Sequence, residues 1–393
     1  MSISERIYLD NAATSWPKPS VVYEAVDSYQ RQIGAPAGRG VYREAMEVEE
    51  IVRNCRQSLA KLLNIADPRQ LVFGFNGTDV LNQAIHGLIR AGDHVITTDV
   101  EHNSVLRPLR FLRDMRGISV TYVPCDSAGV IDPDDVRKSL TSKRTALVAV
   151  THASNVTGAI QPIAQIAAMA QEHGAICLVD AAQTVGHIPI DVQELDVDLL
   201  AAPGHKGLLG PLGTGILYVR PGLEKSLRPL RQGGTGTVSE QDRQPDSLPD
   251  KFESGNHNVA GLAGLGASAN YLQEIGLPEI QSQSHKLISL LLTRLCEIEE
   301  ITVLGPQGVA QRVGVVSVIA RDYTSHELAA LLDATAGVQT RGGFHCAPRI
   351  HRSLKTLAHG GALRMSVGLF NTLEEINLVA DLLADLMASP KPC

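Results

Sequence analysis

The six cysteines, at positions 55, 125, 177, 296, 346 and 393, are scattered, and no two form a CxxC pair. This spacing offers neither a zinc site nor a disulfide framework, and the thiols are expected to be reduced. Positive charge is not in excess either: 42 acidic against 35 basic residues leave a net charge of −7. A nucleic-acid footprint needs a basic stripe, so that class is set aside. No apolar run approaches a membrane span, and residues 1–6 lack the charged-then-apolar layout of a secretion signal. Internal repeats and low-complexity tracts are also missing. What remains is a chain of 393 residues, 44% hydrophobic and 20% charged. That fits a globular cytoplasmic protein of two lobes.

The pattern that is present is an alternation. Strand-length apolar runs fall at 71–75, 94–98, 120–124, 145–150, 175–179, 199–202 and 215–220. Helical segments separate several of them, near 78–90, 103–115, 133–140 and 162–173. Near-continuous apolar strands alternating with helices predict an α/β fold, with a mostly parallel seven-stranded sheet between helices. Two helices precede the sheet, at about 20–32 with Ser20 as N-cap and at about 42–63. A loop-rich stretch, 231–258, reads as a boundary. Beyond it, helices near 259–274, 278–297, 325–335 and 373–387 and strands near 301–304, 313–320 and 362–368 predict a smaller α+β domain. The expected division is a large domain, 15–258, and a small one made of 1–14 with 259–393.

In such sheets ligands sit beyond the carboxyl ends of the strands. The stretch Gly204-His205-Lys206-Gly207 follows one apolar run. By itself it leaves two readings open, a lysine in a solvated loop and a desolvated lysine that forms Schiff bases with carbonyls. The other strand ends supply Asn76-Gly77-Thr78-Asp79, Glu101-His102, His152-Ala153-Ser154-Asn155 and Asp180-Ala181-Ala182-Gln183. A glycine and a hydroxyl opening a helix make an anion site or a simple N-cap. Together, a carboxylate (Asp180), a lysine (Lys206), an imidazole to stack on a ring (His102) and a phosphate cradle (Gly77, Thr78) are what pyridoxal 5′-phosphate (PLP) requires. Asn155 and Gln183 are positioned to hydrogen-bond its phenolic oxygen.

The stretches YLDNAAT (8–14), NGTDVLN (76–82), EHNSVLRP (101–108), HASNVTG (152–158), VDAAQ (179–183), GHKGLLGP (204–211), FESGNHN (252–258), RGGFHCA (341–347) and LRMSVGLFNT (363–372) resemble the class V aminotransferase-fold enzymes of the cysteine desulfurase family. The resemblance implies the PLP-dependent transferase fold type I and a homodimer. It assigns Lys206 to bind PLP covalently and move protons, Asp180 to the pyridinium nitrogen and His102 to stacking. Gln183 and Asn155 would meet the phenolic oxygen, and Thr78, the Gly77 N–H and His205 the phosphate. Arg364 would clamp the substrate carboxylate, with Asn155, Ala12 and Arg341 beside it. Asn256 would reach the partner subunit's phosphate.

Cys346 follows Arg341-Gly342-Gly343-Phe344-His345. Two glycines allow a mobile loop or a tight backbone approach, and Arg341 and His345 are expected to supply positive charge beside the thiol. The other five cysteines read as inert. The motif resembles the short-loop, selenocysteine-lyase-like branch, because 18 positions separate Cys346 from Arg364. It implies that Cys346 attacks the sulfur of L-cysteine, leaving L-alanine and a persulfide for an acceptor protein, as in iron–sulfur cluster assembly. L-selenocysteine lyase, class V transaminase and non-catalytic PLP-binding activities are the alternatives. Two residues depart from the family pattern: Pro203, where a serine hydroxyl commonly meets the phosphate, and Asn256, where threonine is usual. Thr235 is a candidate to compensate.

Overall fold

The computed structural model describes residues 6–38, 40–142 and 144–388. Cys393 and residues 1–5 lie outside them. In chain order the first part runs β1 (Ile7–Tyr8), α1 (Ser20–Ser28), α2 (Arg43–Leu62), β2 (Leu71–Gly74), α3 (Gly77–Leu88), β3 (His94–Thr98), α4 (Asn103–Arg116), β4 (Ser119–Val123), α5 (Pro133–Ser142), β5 (Thr145–Thr151), α6 (Ile163–Glu172), β6 (Ile176–Asp180), α7 (Val192–Leu195), β7 (Leu199–Pro203) and β8 (Gly215–Val219). After the loop-rich stretch come α8 (Val259–Ile275), α9 (Leu277–Cys296), β9 (Ile301–Leu304), β10 (Val315–Ala320), α10 (Ser325–Ala336), β11 (Val338–Gln339), β12 (Arg341–Gly343), α11 (Pro348–Ser353), β13 (Ala362–Ser366) and α12 (Leu373–Ala388).

The large sheet has the seven strands expected from the apolar runs, in the order β2-β8-β7-β6-β5-β3-β4. Only β8 runs antiparallel to its neighbours β2 and β7. Alternate residues of one strand feed two cores, because successive side chains point to opposite faces. In β5, Val148 and Val150 join the core shared with α2 and α6, whereas Leu147 and Ala149 join the core under α3 and α4. Covering both faces requires the unbroken apolar runs that the sequence shows.

The second part builds a four-stranded antiparallel sheet, β12-β13-β10-β9. It packs with α9, α12 and Leu9 in a core of its own. β1 pairs in parallel with β11. These two-residue strands, the three-residue β12 and the short α11 are too brief to show a period in the sequence. The apolar face of α8 (Leu262, Leu265, Ala269) packs with Cys55 and Leu59 of α2 in the core of the large sheet. Leu277 and Ile280 in the first turn of α9 still belong to that core, and the later turns of α9, from Leu287 on, enter the second.

Two details differ from the sequence reading. α1 begins at Ser20, with Pro19 in the cap position and no side-chain cap, so Ser20 is the first helical residue rather than the N-cap. A π-helical turn over 29–33 then carries it to Gly34. The loop-rich stretch is pinned at its end by Glu253. Its carboxylate takes a bidentate pair from Arg56 at 2.7 and 2.8 Å and the Phe73 N–H at 2.6 Å. Such fork geometry is the strongest form of ion pair.

Candidate active site

β2, β3, β5, β6 and β7 end on the same edge of the sheet, and a cavity of about 430 Å³ lies beyond them. Each strand end contributes to its lining: Gly77 and Thr78 after β2, His102 and Ser104 after β3, Asn155 after β5, Asp180 and Gln183 at β6, and Pro203, His205 and Lys206 at β7. The second sheet adds Arg341 and Arg364, the loop after β12 adds His345, and the turn after β1 adds Ala12. Every site residue expected from the sequence lines this cavity except Cys346 and Asn256.

Lys206 is half-buried and faces the cavity. Loss of water around its amine brings the pKa down to about 8, against the opposing pull of Asp180; Arg364 and Arg341 add to the fall. Burial raises the carboxyl of Asp180, opposed by the Ala182 N–H at 3.0 Å and by the charge of Lys206. Each group therefore resists ionising alone and favours the other's charge. At neutral pH roughly one Lys206 in ten is a free amine, a far larger share than an ordinary lysine offers.

His102 caps α4: its Nδ1 accepts the Ser104 N–H at 3.1 Å. Burial, with the charges of Lys206 and Arg341, brings its pKa down to about 4. The neutral ring therefore carries its proton on Nε2. At the start of α3 the cap is Asn76, whose side chain accepts the Asp79 N–H at 2.9 Å, while Asp79 accepts the Phe75 N–H at 2.8 Å. Thr78 is thus not the cap, and its hydroxyl instead meets Ser104 Oγ at 2.7 Å. Two helix N-termini meet at this hydroxyl pair.

The peptide before Lys206 is clamped. The His205 carbonyl accepts from Ser15 N at 3.0 Å, Ser15 Oγ at 3.2 Å, Thr14 Oγ1 at 3.1 Å and Lys18 Nζ at 2.9 Å. Burial brings Lys18 down to about 8. His205 Nδ1 is buried without a partner among the described residues. Arg364, 1% exposed, donates from Nη2 to Asp10 Oδ1 at 2.6 Å and from Nη1 to the Asn155 carbonyl at 3.1 Å, and its Nε is unpartnered. Gln183 is oriented by the Ala12 carbonyl at 3.1 Å.

Cys346 is exposed and sits just outside the cavity. Both it (φ 57°) and His345 (φ 49°) adopt the left-handed backbone, a conformation disfavoured for side-chain-bearing residues. The turn is tied down twice: the Asn103 N–H of α4 donates to the Cys346 carbonyl at 2.7 Å, and Asn155 Nδ2 to the His345 carbonyl at 2.7 Å. Arg341 Nη2 approaches the sulfur at 3.8 Å. His345 does not supply the expected positive charge. Burial, then the nearby charge of Arg364, holds its pKa well below the ordinary value, so the ring is neutral. Nor do the glycines make a mobile loop. Gly342 is in β12, where a Cβ would stand 2.4 Å from the Ser325 carbonyl oxygen. Among the remaining cysteines, burial pushes Cys55 up to about 12 and Cys125 to about 11, and raises Cys177 as well. These three match the inert reading.

Asn256 lines a separate cleft with Phe75 and Arg231. Thr235 does not line the cavity; its hydroxyl bonds Thr237 instead. Several site residues were not expected. Asp10 and Ser104 stand inside quoted motifs but carried no assigned role, and Lys18 follows a proline in what reads as irregular chain. Glu101 is fully buried and pushed up to about 8, chiefly by burial; it accepts from Thr98 Oγ1 at 2.7 Å and Thr151 N at 3.0 Å. Its neighbour His102 drew attention for its chemistry, and nothing in the sequence signals the buried carboxyl.

The Aminotransferase class-V family model matches residues 7–379. This chain belongs to the aminotransferase class-V family. Among class-V relatives, a protein of Methanothermobacter thermautotrophicus named "Probable cysteine desulfurase" is 37% identical over 389 residues, covering 98% of this chain and 95% of its own. A cysteine desulfurase of Salmonella agona is 34% identical, covering 95% and 92%. The apo structure of the cysteine desulfurase from Thermococcus onnurineus NA1 superposes with a TM-score of 0.90 at 34% identity, over 98% of this chain and 95% of that one. The class-V fold of these neighbours is the type I fold expected from the motifs. Among the described residues no helix is long and apolar enough to cross a membrane.

Proposed function

We propose that this chain is a PLP-dependent cysteine desulfurase, converting L-cysteine to L-alanine and leaving the sulfur as a persulfide on Cys346. The observation that carries the reading is two reactive side chains at one site: Lys206 in the cavity, its amine partly deprotonated and facing Asp180, and Cys346, exposed just outside it with the cavity-lining Arg341 beside its sulfur. The residues fit PLP. An orphaned buried nitrogen (His205 Nδ1), the paired hydroxyls of Thr78 and Ser104 and the first N–H groups of α3 suit a phosphate. The Asp180 carboxylate suits a pyridinium, and a desolvated amine suits an aldehyde.

When bound, PLP would draw electrons from the substrate α-carbon, which weakens its bonds. Lys206 would carry the cofactor and move the proton at Cα. Neutral His102 would cover the ring face, and Gln183 and Asn155 would meet its phenolic oxygen. Arg364 would receive the carboxylate, held in place by Asp10. The Cys346 thiolate would then attack the substrate sulfur: the S–S bond forms, the carbon–sulfur bond breaks, and the carbon gains a proton. Asn256, outside its own cavity, and the exposed Val41 (96%), Tyr42 (50%) and Met46 (61%) support a homodimer in which the partner's phosphate site is completed. We further propose that the chain divides into 15–258 and 1–14 with 259–393, with α8 and the first turn of α9 sharing the large sheet's core. Supplying L-cysteine and assaying alanine together with a persulfide mapped to Cys346 tests the reading. Alanine release that survives Cys346→Ala would overturn it.

A further inference from the structure

Cys346 lines a groove of about 510 Å³ between α3 and α4, next to the cavity. His102, Thr78 and Ser104 line both spaces, so the imidazole stands between them. The outer walls are Asn82, His86, Arg107, Pro108 and Phe111, the last 54% exposed. Among the described residues no carboxylate lines the groove, although acidic residues outnumber basic ones by 42 to 35 in the chain. Arg107 is exposed and makes no ion pair among the described residues, and its charge reaches His102. Arg341, at the sulfur, is likewise unpaired by any described carboxylate. The N-termini of α3 and α4 add their positive ends at the floor. The groove has the volume of a small-ligand site and one apolar wall.

We propose that this groove binds the sulfur acceptor, and that the acceptor is a small free thiol carrying at least two carboxylates. The inference rests on the desulfurase reading, which supplies the persulfide. The acceptor thiolate attacks the outer sulfur of the Cys346 persulfide. The new bond joins the acceptor sulfur to that outer sulfur, the old sulfur–sulfur bond breaks, and Cys346 leaves as a thiolate. The acceptor departs as a persulfide carrying the proton, and no external oxidant or reductant is consumed. Arg107 positions the carboxylates of the incoming thiol and does not itself react.

The test begins with holoenzyme loaded by L-cysteine, desalted and checked by intact mass for sulfur on Cys346. Absence of that sulfur would sink the desulfurase reading and is distinguishable from everything that follows. Discharge is then timed by mass for mercaptosuccinate, 2-mercaptoethanol and cysteamine, each at equal thiolate concentration. Mercaptosuccinate is expected to discharge fastest, with a preference over 2-mercaptoethanol that falls about ten-fold in Arg107→Glu and shrinks as salt is raised. The ratio is taken within each variant, so a general loss of fitness cancels. An equal preference in wild type and Arg107→Glu overturns the proposal. So does a short acidic cysteine peptide that outpaces mercaptosuccinate, because the groove would then serve a segment of a protein.

Discussion

Lys206 and Cys346 are held in opposite ways. Lys206 follows a fully buried strand, its preceding carbonyl fixed by four donors from the N-terminal segment and its amine desolvated. Its reactivity comes from what surrounds it. Cys346 is exposed on a turn held in left-handed backbone by two hydrogen bonds. Its reactivity comes from access, with a fixed cation beside the sulfur. One group must remain in place through a cycle, and the other must meet a substrate on one side and deliver sulfur on the other. The sheet edge serves the first need and the strained turn the second.

The largest effects should separate the two roles. Lys206→Ala and Cys346→Ala are each expected to lower alanine release from L-cysteine by at least about a thousand-fold. Only Lys206→Ala should also lose the absorbance of covalently attached PLP, whereas Cys346→Ala should keep it. If both variants lose the absorbance, the two residues are not independent and the contrast collapses.

Asp10 comes next. Its carboxylate is the ion-pair partner of the buried Arg364, whose other partner among the described residues is a carbonyl. Asp10→Ala leaves that guanidinium buried and unpaired, and such losses cost about 3–5 kcal/mol. A clear fall in the midpoint of chemical denaturation is expected, with Asp10→Asn intermediate. No change would mean that Arg364 finds another partner.

Lys206 should itself be a stability liability. Its folded pKa, about 8, lies below the ordinary 10.5. Between these values the unfolded chain binds more protons, so stability rises with pH across the window, and below about pH 8 the full cost of the desolvated ammonium is present. Lys206→Met is expected to stabilise the PLP-free protein at pH 7 by roughly 3 kcal/mol, an upper bound set by the shift. The gain should vanish as pH approaches 10.5. Unfolding titrations of both proteins at several pH values measure it, and a gain that does not depend on pH would refute the desolvated amine.

Much of this arrangement is legible in the sequence because parallel strands make it so. Buried strands read as apolar runs, and topology alone brings residues after 75, 98, 150, 179 and 202 to one edge. Asp180, Lys206, His102, Asn155 and Gln183 were found that way. What sequence does not carry is pairing across distance. Asp10 meets Arg364 only because β1 returns to the second sheet, where Asp10 forms a bridge with Ser366. Ser104 reaches Thr78 only because α3 and α4 start side by side. The neutral state of His345 depends on burial and on Arg364, which no local pattern reveals. β12 and α11 are shorter than any period that could announce them.

The smallest effect tests the turn itself. A residue with a side chain in left-handed backbone is strained by about 1 kcal/mol, and glycine is not. Among variants that both lack the thiol, Cys346→Gly should therefore be more stable than Cys346→Ala by about 1 kcal/mol, although glycine also loosens the unfolded chain. The comparison removes the sulfur contact with Arg341 from both sides, so the difference reports the backbone alone. Paired denaturant titrations resolve it if the slopes agree. An alanine variant as stable as the glycine one would mean that the turn relaxes once the thiol is gone. In that case the strain belongs to the cysteine's contact with Arg341, and the two hydrogen bonds at Asn103 and Asn155 do not by themselves keep the sulfur at the rim.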